Sequence, residues 1–310
     1  MNKSEHNQAP GAVLMIRPAF FGFNLETSLT NAFQQPPDEQ EHNIHNRAVE
    51  EFDRMVDLLK SHDVQVHVFE DTPQPRKPDA IFPNNWISFH ADGTVVLYPM
   101  QAATRRAERR MDVVDALGKI YAIQKLKDFT GYEKQNIFLE GTGSLVFDYV
   151  NRIAYASLSP RTHEVLVHEV CRELHFKPVV FHAVDEHNHP VYHTNVVLAV
   201  ATKLVLICLD AIHRDHDRKL LLGSFRSTGH RIIAISYAQM KSFAGNMMEI
   251  RSRHGHPVLV MSESAYLSLL PGQLDAITSL VDILVIPVPT IERYGGGSVR
   301  CMMAGLFNSA

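Results

Sequence analysis

Gly295-Gly296-Gly297-Ser298-Val299-Arg300-Cys301 is followed only by Met302 to Ala310. Ahead of it lie a helix-period stretch at residues 273–281 and a short apolar strand at 283–288. Elsewhere in the chain such a pair leads into a loop and then a two-stranded hairpin, but here there is no room for the return strand. The apolar segment at residues 13–16 is the missing piece, so the chain is expected to close on itself.

Worked back from that stretch, one unit recurs. Helix-period segments precede short strands at 47–60 and 64–69, at 105–117 and 120–126, at 162–175 and 179–184, and at 215–229 and 232–235. Hairpins follow: 86–90 turns at Asp92-Gly93 into 95–98, 145–148 returns as 153–157, 196–199 as 204–209, and 247–250 as 258–261. One polar residue stands in the loop before each hairpin: Asp79, Glu140, His193, Asn246 and Cys301, at steps of 61, 53, 53 and 55 residues. A period this steady over the whole chain predicts radial repetition in one domain, residues 1–310, with five equivalent loops converging on an axis. Asn246 is equally consistent with a turn residue and with a site residue.

An Asp, a Glu, a His, an Asn and a Cys around one centre form a reaction site. Cys with His is the minimal covalent pair, the imidazole generating thiolate and returning a proton to the leaving group. Carboxylates beside them would clamp a nitrogen-rich substrate. The other cysteines differ: Cys171 lies on the stripe Leu166, Val167, Val170, Leu174 and Cys208 inside Val205-Leu206-Ile207, both as core hydrophobes. Three cysteines without metal spacing point to reduced thiols and a cytoplasmic location.

The 310 residues are 45% hydrophobic and 21% charged with net charge −4, which argues against a nucleic-acid partner. Met1 to Pro10 is polar and the apolar run 196–209 is interrupted by Thr202-Lys203, so neither export nor membrane insertion is expected. His182, His187, His189 and His193, among eighteen histidines, lack a metal-binding helical spacing and are read as loop histidines. No helix pattern follows the triple glycine, which disfavours a phosphate loop. Arg105, Arg106, Glu108, Arg109 and Arg110 read as a solvated helix face. Phe20-Phe21-Gly22-Phe23 is either packing or a lid over the axis, and Asn24 has no assigned role.

Five motifs together resemble the guanidino-group modifying superfamily of arginine deiminases, dimethylarginine hydrolases and amidinotransferases. They are Pro78-Asp79-Ala80-Ile81-Phe82-Pro83-Asn84-Asn85-Trp86, Leu139-Glu140-Gly141-Thr142-Gly143-Ser144, Ser157-Leu158-Ser159-Pro160-Arg161-Thr162, His193-Thr194-Asn195 and the glycine stretch ending in Cys301. The resemblance implies a five-bladed α/β propeller of ββαβ repeats, the pentein fold. It implies Cys301 as nucleophile, His193 as general acid and base, and Glu140 as the carboxylate that orients His193 or holds substrate nitrogen. Asp79 would take the α-ammonium of a free amino acid, and Arg105 and Arg161 its α-carboxylate, with Arg106 able to exchange with Arg105. No metal or organic cofactor is implied, the partner is a small amino-acid substrate, and a homo-oligomer is compatible with the sequence.

Departures from the pattern bear on the substrate. Dimethylarginine hydrolases carry Glu-Asp where this chain has Asn84-Asn85, and arginine deiminases carry Asp where it has Asn195. An amide serves a neutral ureido group better than a cationic guanidinium, and the spellings also resemble the citrulline-utilisation hydrolase branch, which forms ornithine, ammonia and carbon dioxide. A dimethylarginine hydrolase or arginine deiminase is the nearest alternative, and a transferase a further one. Ribosome-binding anti-association factors share the propeller without the chemistry; the Cys-His-Glu set argues against that binding role.

Overall fold

The computed structural model describes residues 7–307, so residues 1–6 of the polar N-terminal segment lie outside the described residues. In chain order, β1 (Ala12–Arg17) runs parallel to β2 (Gln65–Glu70) across the helix Glu41–Ser61. Four sheets then repeat one plan, an antiparallel hairpin whose second strand pairs in parallel with a third strand beyond a helical crossover. They are β3 (Ile87–Phe89), β4 (Thr94–Leu97) and β5 (Lys125–Asp128); β6 (Val146–Asp148), β7 (Ile153–Ser157) and β8 (Lys177–Phe181). Next come β9 (Leu198–Val200), β10 (Leu204–Ile207) and β11 (Arg231–Ala234), then β12 (Met248–Arg251), β13 (Pro257–Ser262) and β14 (Asp282–Ile286).

The last strand, β15 (Ala304–Leu306), pairs antiparallel with β1, placing Ala12 opposite Leu306, Val13 opposite Gly305 and Leu14 opposite Ala304. The fold is therefore a five-bladed α/β propeller whose fifth blade, β15-β1-β2, is shared by both ends of the described chain. The first strands line the axis, where β15 packs on β3, β6 on β9 and β9 on β12.

Local sequence explains each unit. The middle strands β4, β7 and β10 are buried throughout, while the outer strands β5, β8 and β11 are partly exposed. The helix Glu41–Ser61 covers its sheet with Ile44, Ala48, Phe52, Met55, Val56 and Leu59, a stripe at helical spacing. In the first hairpin Gly93 has φ +77°, and a Cβ there would stand 2.4 Å from the carbonyl oxygen of Ala122.

Four expectations shift. The first crossover is a 3₁₀ turn, Ala103–Glu108, and a short helix, Met111–Leu117, broken at Arg109 and Arg110, which are extended and paired with Glu133 and Asp112. Arg105 and Glu108 are therefore not a solvated face: both are 3% exposed and turned inward. The strand expected at 120–126 is β5, displaced because Tyr121 is buried in the preceding loop while β5 itself is largely exposed. Residues 194–197 are a single helical turn, so the hairpin strand expected from 196 begins at 198 as β9, while Cys301 lies, like the other anchoring residues, ahead of its blade's first strand, in the turn before β15.

Candidate active site

Each axial residue sits in the tight turn ahead of its blade's first strand. Asn84 and Asn85 lie in the 3₁₀ turn Pro83–Asn85, Glu140 caps the turn Gly141–Ser144, and His193 caps Thr194–Val197. Side chains bind these turns together. Ser144 accepts from the backbone N–H of Glu140 at 2.9 Å and donates to the carbonyl of Arg161 at 3.0 Å; Thr194 donates to the carbonyl of Ser144 at 2.6 Å. Closeness between blades excludes any side chain at Gly143, where a Cβ would stand 2.5 Å from Asn85 Nδ2 and 2.8 Å from His193 Nδ1.

Asp79, Asn85, Arg105, Arg161, His193 and Cys301 share one cavity of about 270 Å³ that opens to solvent. Glu140, fully buried, stands behind His193, and its Oε2 accepts from His193 Nε2 at 2.8 Å. Burial alone would push the Glu140 carboxyl up, but Arg161, His193 and Arg105 overcome it and hold it down at about 2. Burial pushes the His193 imidazole down to about 4, only partly opposed by Glu140. With Glu140 ionised, Nε2 carries the proton and the Nδ1 lone pair is left as the base.

Two amides point at the sulfur. Asn246 Nδ2 lies 3.3 Å and Asn195 Nδ2 3.5 Å from Cys301 Sγ, so Asn246 belongs to the site and is not only a turn residue. Among the described residues, Asp79 Oδ1, Asn195 Oδ1, Asn246 Oδ1, Asn85 Nδ2 and both side-chain polar atoms of Asn84 are buried without a hydrogen-bond partner. Groups in that state are normally satisfied by something that binds.

The arginines are placed differently from each other. Arg105 grips Glu108 with Nε and Nη2, both at 2.9 Å, and donates from Nη1 to Asn85 Oδ1 at 2.9 Å. Its guanidinium is thus committed to protein groups instead of standing free for a carboxylate, and it turns the Asn85 amide nitrogen away from itself. Arg161 donates to Thr30 Oγ1 and to the carbonyl of Thr27, with Nη1 3.6 Å from Glu140. Arg106 bonds to the carbonyls of Met100 and Gln101 and lies apart from the cavity.

Sequence reasoning missed the strap over the cavity. Asn24 Nδ2 donates to Asp79 Oδ2 at 2.8 Å, Thr27 Oγ1 reaches the same oxygen, and Asn31 donates to the carbonyl of Gly296. This strap is the segment 24–34, one step beyond Phe20-Phe21-Gly22-Phe23, in which Phe21 is fully buried. Tyr192, whose hydroxyl donates to the carbonyl of Gly296, was also missed, although it stands next to His193. No group of three metal-ligating side chains occurs among the described residues, and none of their helices is long and apolar enough to cross a membrane. Cys171 and Cys208 are buried, unbridged core residues.

The family model for N,N dimethylarginine dimethylhydrolase, eukaryotic, matches residues 17–308. The chain belongs to that family. Dimethylarginine dimethylhydrolases and the structures similar to this one fall within the pentein guanidino-group modifying superfamily. ArgZ, an arginine dihydrolase of the ornithine–ammonia cycle in cyanobacteria, superposes with TM-score 0.74 at 16% identity over 96% of this chain and 40% of its own. The chain thus spans about two fifths of full-length ArgZ. A cysteine-to-serine mutant of the ArgZ N-terminal domain, bound to substrate, is covered over 98% of its length, with TM-score 0.73 and 15% identity. The dimethylarginine dimethylhydrolase of Pseudomonas aeruginosa, complexed with citrulline, gives TM-score 0.62 at 14% identity, over 96% of this chain and 99% of that one. No curated protein matches the chain by sequence.

Proposed function

We propose that the protein is a thiol-dependent hydrolase of the ureido group of a free amino acid, converting citrulline to ornithine, ammonia and carbon dioxide. The observation that carries this reading is the mixed set of unpaired buried atoms: acceptors on Asn195 and Asn246, whose amides touch the Cys301 sulfur, a donor on Asn85 in the cavity that Cys301 lines, and one of each kind on neighbouring Asn84. A ureido group brings both a carbonyl acceptor and N–H donors and can answer both kinds. A guanidinium has only donors, so Asn85 Nδ2, whose orientation Arg105 fixes, would face another N–H. Leaving such a buried donor unmatched costs about 1–3 kcal/mol.

In the proposed reaction His193 Nδ1 takes the proton of the Cys301 thiol, and the resulting thiolate attacks the ureido carbon, helped by the amide N–H groups of Asn246 and Asn195. The C–Nδ bond breaks and His193 delivers a proton to the leaving ornithine amine. A carbamoyl thioester remains. Water activated by His193 adds to it, the C–S bond breaks, and the carbamate released decomposes to ammonia and carbon dioxide. Asp79 Oδ1 takes the α-ammonium, Arg161 the α-carboxylate, and Arg105 orients Asn85.

The second reading is a guanidino substrate, favoured by family membership and by the arginine dihydrolase activity for which ArgZ is named. A panel of citrulline, arginine, dimethylarginine and agmatine, with ornithine, citrulline and ammonia all quantified, separates the two. Citrulline should be consumed, and Cys301→Ala should lose that turnover by at least about 10³-fold. Conversion of arginine or dimethylarginine to citrulline, with citrulline inert, would establish the second reading instead.

A further inference from the structure

Arg300 and Cys301 are consecutive but open into different cavities. Cys301 lines the pocket just described, and Arg300 lines a second one at the far end of the axis, walled by the first strands of all five blades through Ile87, Phe147, Val200, Met248 and Gly305. Arg300 is only 9% exposed. Among the described residues its one hydrogen bond is from Nη1 to the carbonyl of Met247 at 3.4 Å, and no carboxylate lies within ion-pair distance of it. A buried guanidinium without a counter-charge is costly, and such groups are normally paired.

The surroundings narrow what would pair with it. Tyr149 lines the same cavity, and among the described residues its hydrogen bonding is confined to its backbone N–H, which donates to Gln8. Glu249 also lines it, but its two oxygens accept from the backbone N–H and the hydroxyl of Thr202 at 2.5 and 2.7 Å. Among the described residues the cation is unpaired and the acid is engaged by Thr202, so a single negative charge fits the cavity while the nearby acid repels a dianion. The remaining walls are largely apolar, which excludes a large polar ligand.

We infer that the axial cavity behind Cys301 is a second binding site, for one small planar monovalent oxyanion of the carboxylate or bicarbonate type, held in the fork of the Arg300 guanidinium with the Tyr149 hydroxyl as a further donor. The inference does not depend on which head group is hydrolysed. Burial holds the Arg300 guanidinium down at about 10, against the raising influence of Cys301 and Tyr149, which agrees with a cation lacking a fixed partner. Since Arg300 adjoins the nucleophile, an anion here would also withdraw positive charge from behind the thiolate and lower turnover without competing with substrate.

The test is thermal unfolding of the whole chain in sodium formate and in sodium bicarbonate, at constant ionic strength with a bulky sulfonate as balancing salt. The melting temperature should rise and saturate with either anion, the two arms separating a carboxylate source from a carbonate source. Arg300→Met should abolish that rise, while Arg161→Ala, at the other cavity, should retain it. Tyr149→Phe should raise the half-saturating concentration at least about threefold. Crystals soaked in bromide should give an anomalous peak within hydrogen-bond reach of Arg300, and this decides the matter if Arg300→Met does not fold. An unchanged response in Arg300→Met, or no saturable response together with no peak, overturns the proposal.

Discussion

In the proposed reaction Asn85 selects between a neutral and a charged head group, because Arg105 fixes which way its amide faces. An aspartate there keeps one oxygen for Arg105 and turns the other, negative, toward the substrate. Asn85→Asp should therefore raise the ratio of kcat/KM for arginine over that for citrulline by at least about tenfold, close to 1.4 kcal/mol; an unchanged ratio would remove Asn85 from head-group recognition. Arg161 is the arginine left to reach a carboxylate, so Arg161→Ala should weaken substrate binding by about 2–5 kcal/mol, read as a raised KM. His193 titrates below its ordinary range, so the neutral base survives as pH falls, and the acid limb of kcat/KM should lie near pH 4. The stability contributed by the neutral ring is complete above about pH 6.5 and is lost as pH falls through about 4, and that of ionised Glu140 is lost between about 4.5 and 2. A limb at pH 6.5 would mean that the ring is not shielded as described. At this scale the sequence was legible for the convergence of Cys301, His193 and Glu140, which the steady period of the repeat brings to one place. It was not legible for Asn246, whose amide could equally have closed a turn, or for Arg105, whose partner Glu108 three residues on looked like an ordinary surface pair.

At the level of elements, the turns ahead of the first strands bring the chemistry together, and glycine lets them approach. Gly143→Ala would push a methyl against Asn85 Nδ2 and His193 Nδ1 in the middle of a buried contact. We expect kcat to fall by at least about tenfold while the melting temperature shifts by only a few degrees. A variant with normal kcat would show that the turn has slack. The strands and helices were visible in the sequence wherever burial is one-sided and periodic, as in the stripe of the helix Glu41–Ser61. β5 was not, because an outer strand with Lys125, Lys127 and Asp128 carries no alternation to find, and the apolar residues that suggested it, such as Tyr121, fill the core from a loop. The break at Arg109 and Arg110 was hidden for a related reason: the partner of Arg109, Glu133, lies beyond the helix pattern, and Arg110 with Asp112 two residues on looks like part of it.

For the whole molecule, the decisive contact is the pairing of β1 with β15, which places Leu14, fully buried, opposite Ala304. We propose that residues 7–307 act as one domain. Leu14→Ala should then cost about 2–5 kcal/mol and lower the stability of every blade together. The fluorescence of Trp86, buried in the first blade's turn, and far-ultraviolet circular dichroism should report one coincident urea transition, and two separated transitions would contradict a single domain. The five-fold plan was legible because the period spans all five units; the catalytic geometry was not, because the anchoring residues stand at different distances ahead of their strands. The same pairing governs how the protein comes into being on the ribosome. One edge of β1 has to wait for a partner made almost 300 residues later, roughly 15–60 s at ordinary rates of translation. Until then β1 offers an open hydrogen-bonding edge to any neighbouring nascent chain, and the loop that arms Cys301 has nothing to fold against. The proposed nucleophile would thus be disarmed by the direction of synthesis itself, and reactive thiol should appear only in chains long enough to release β15 from the exit tunnel.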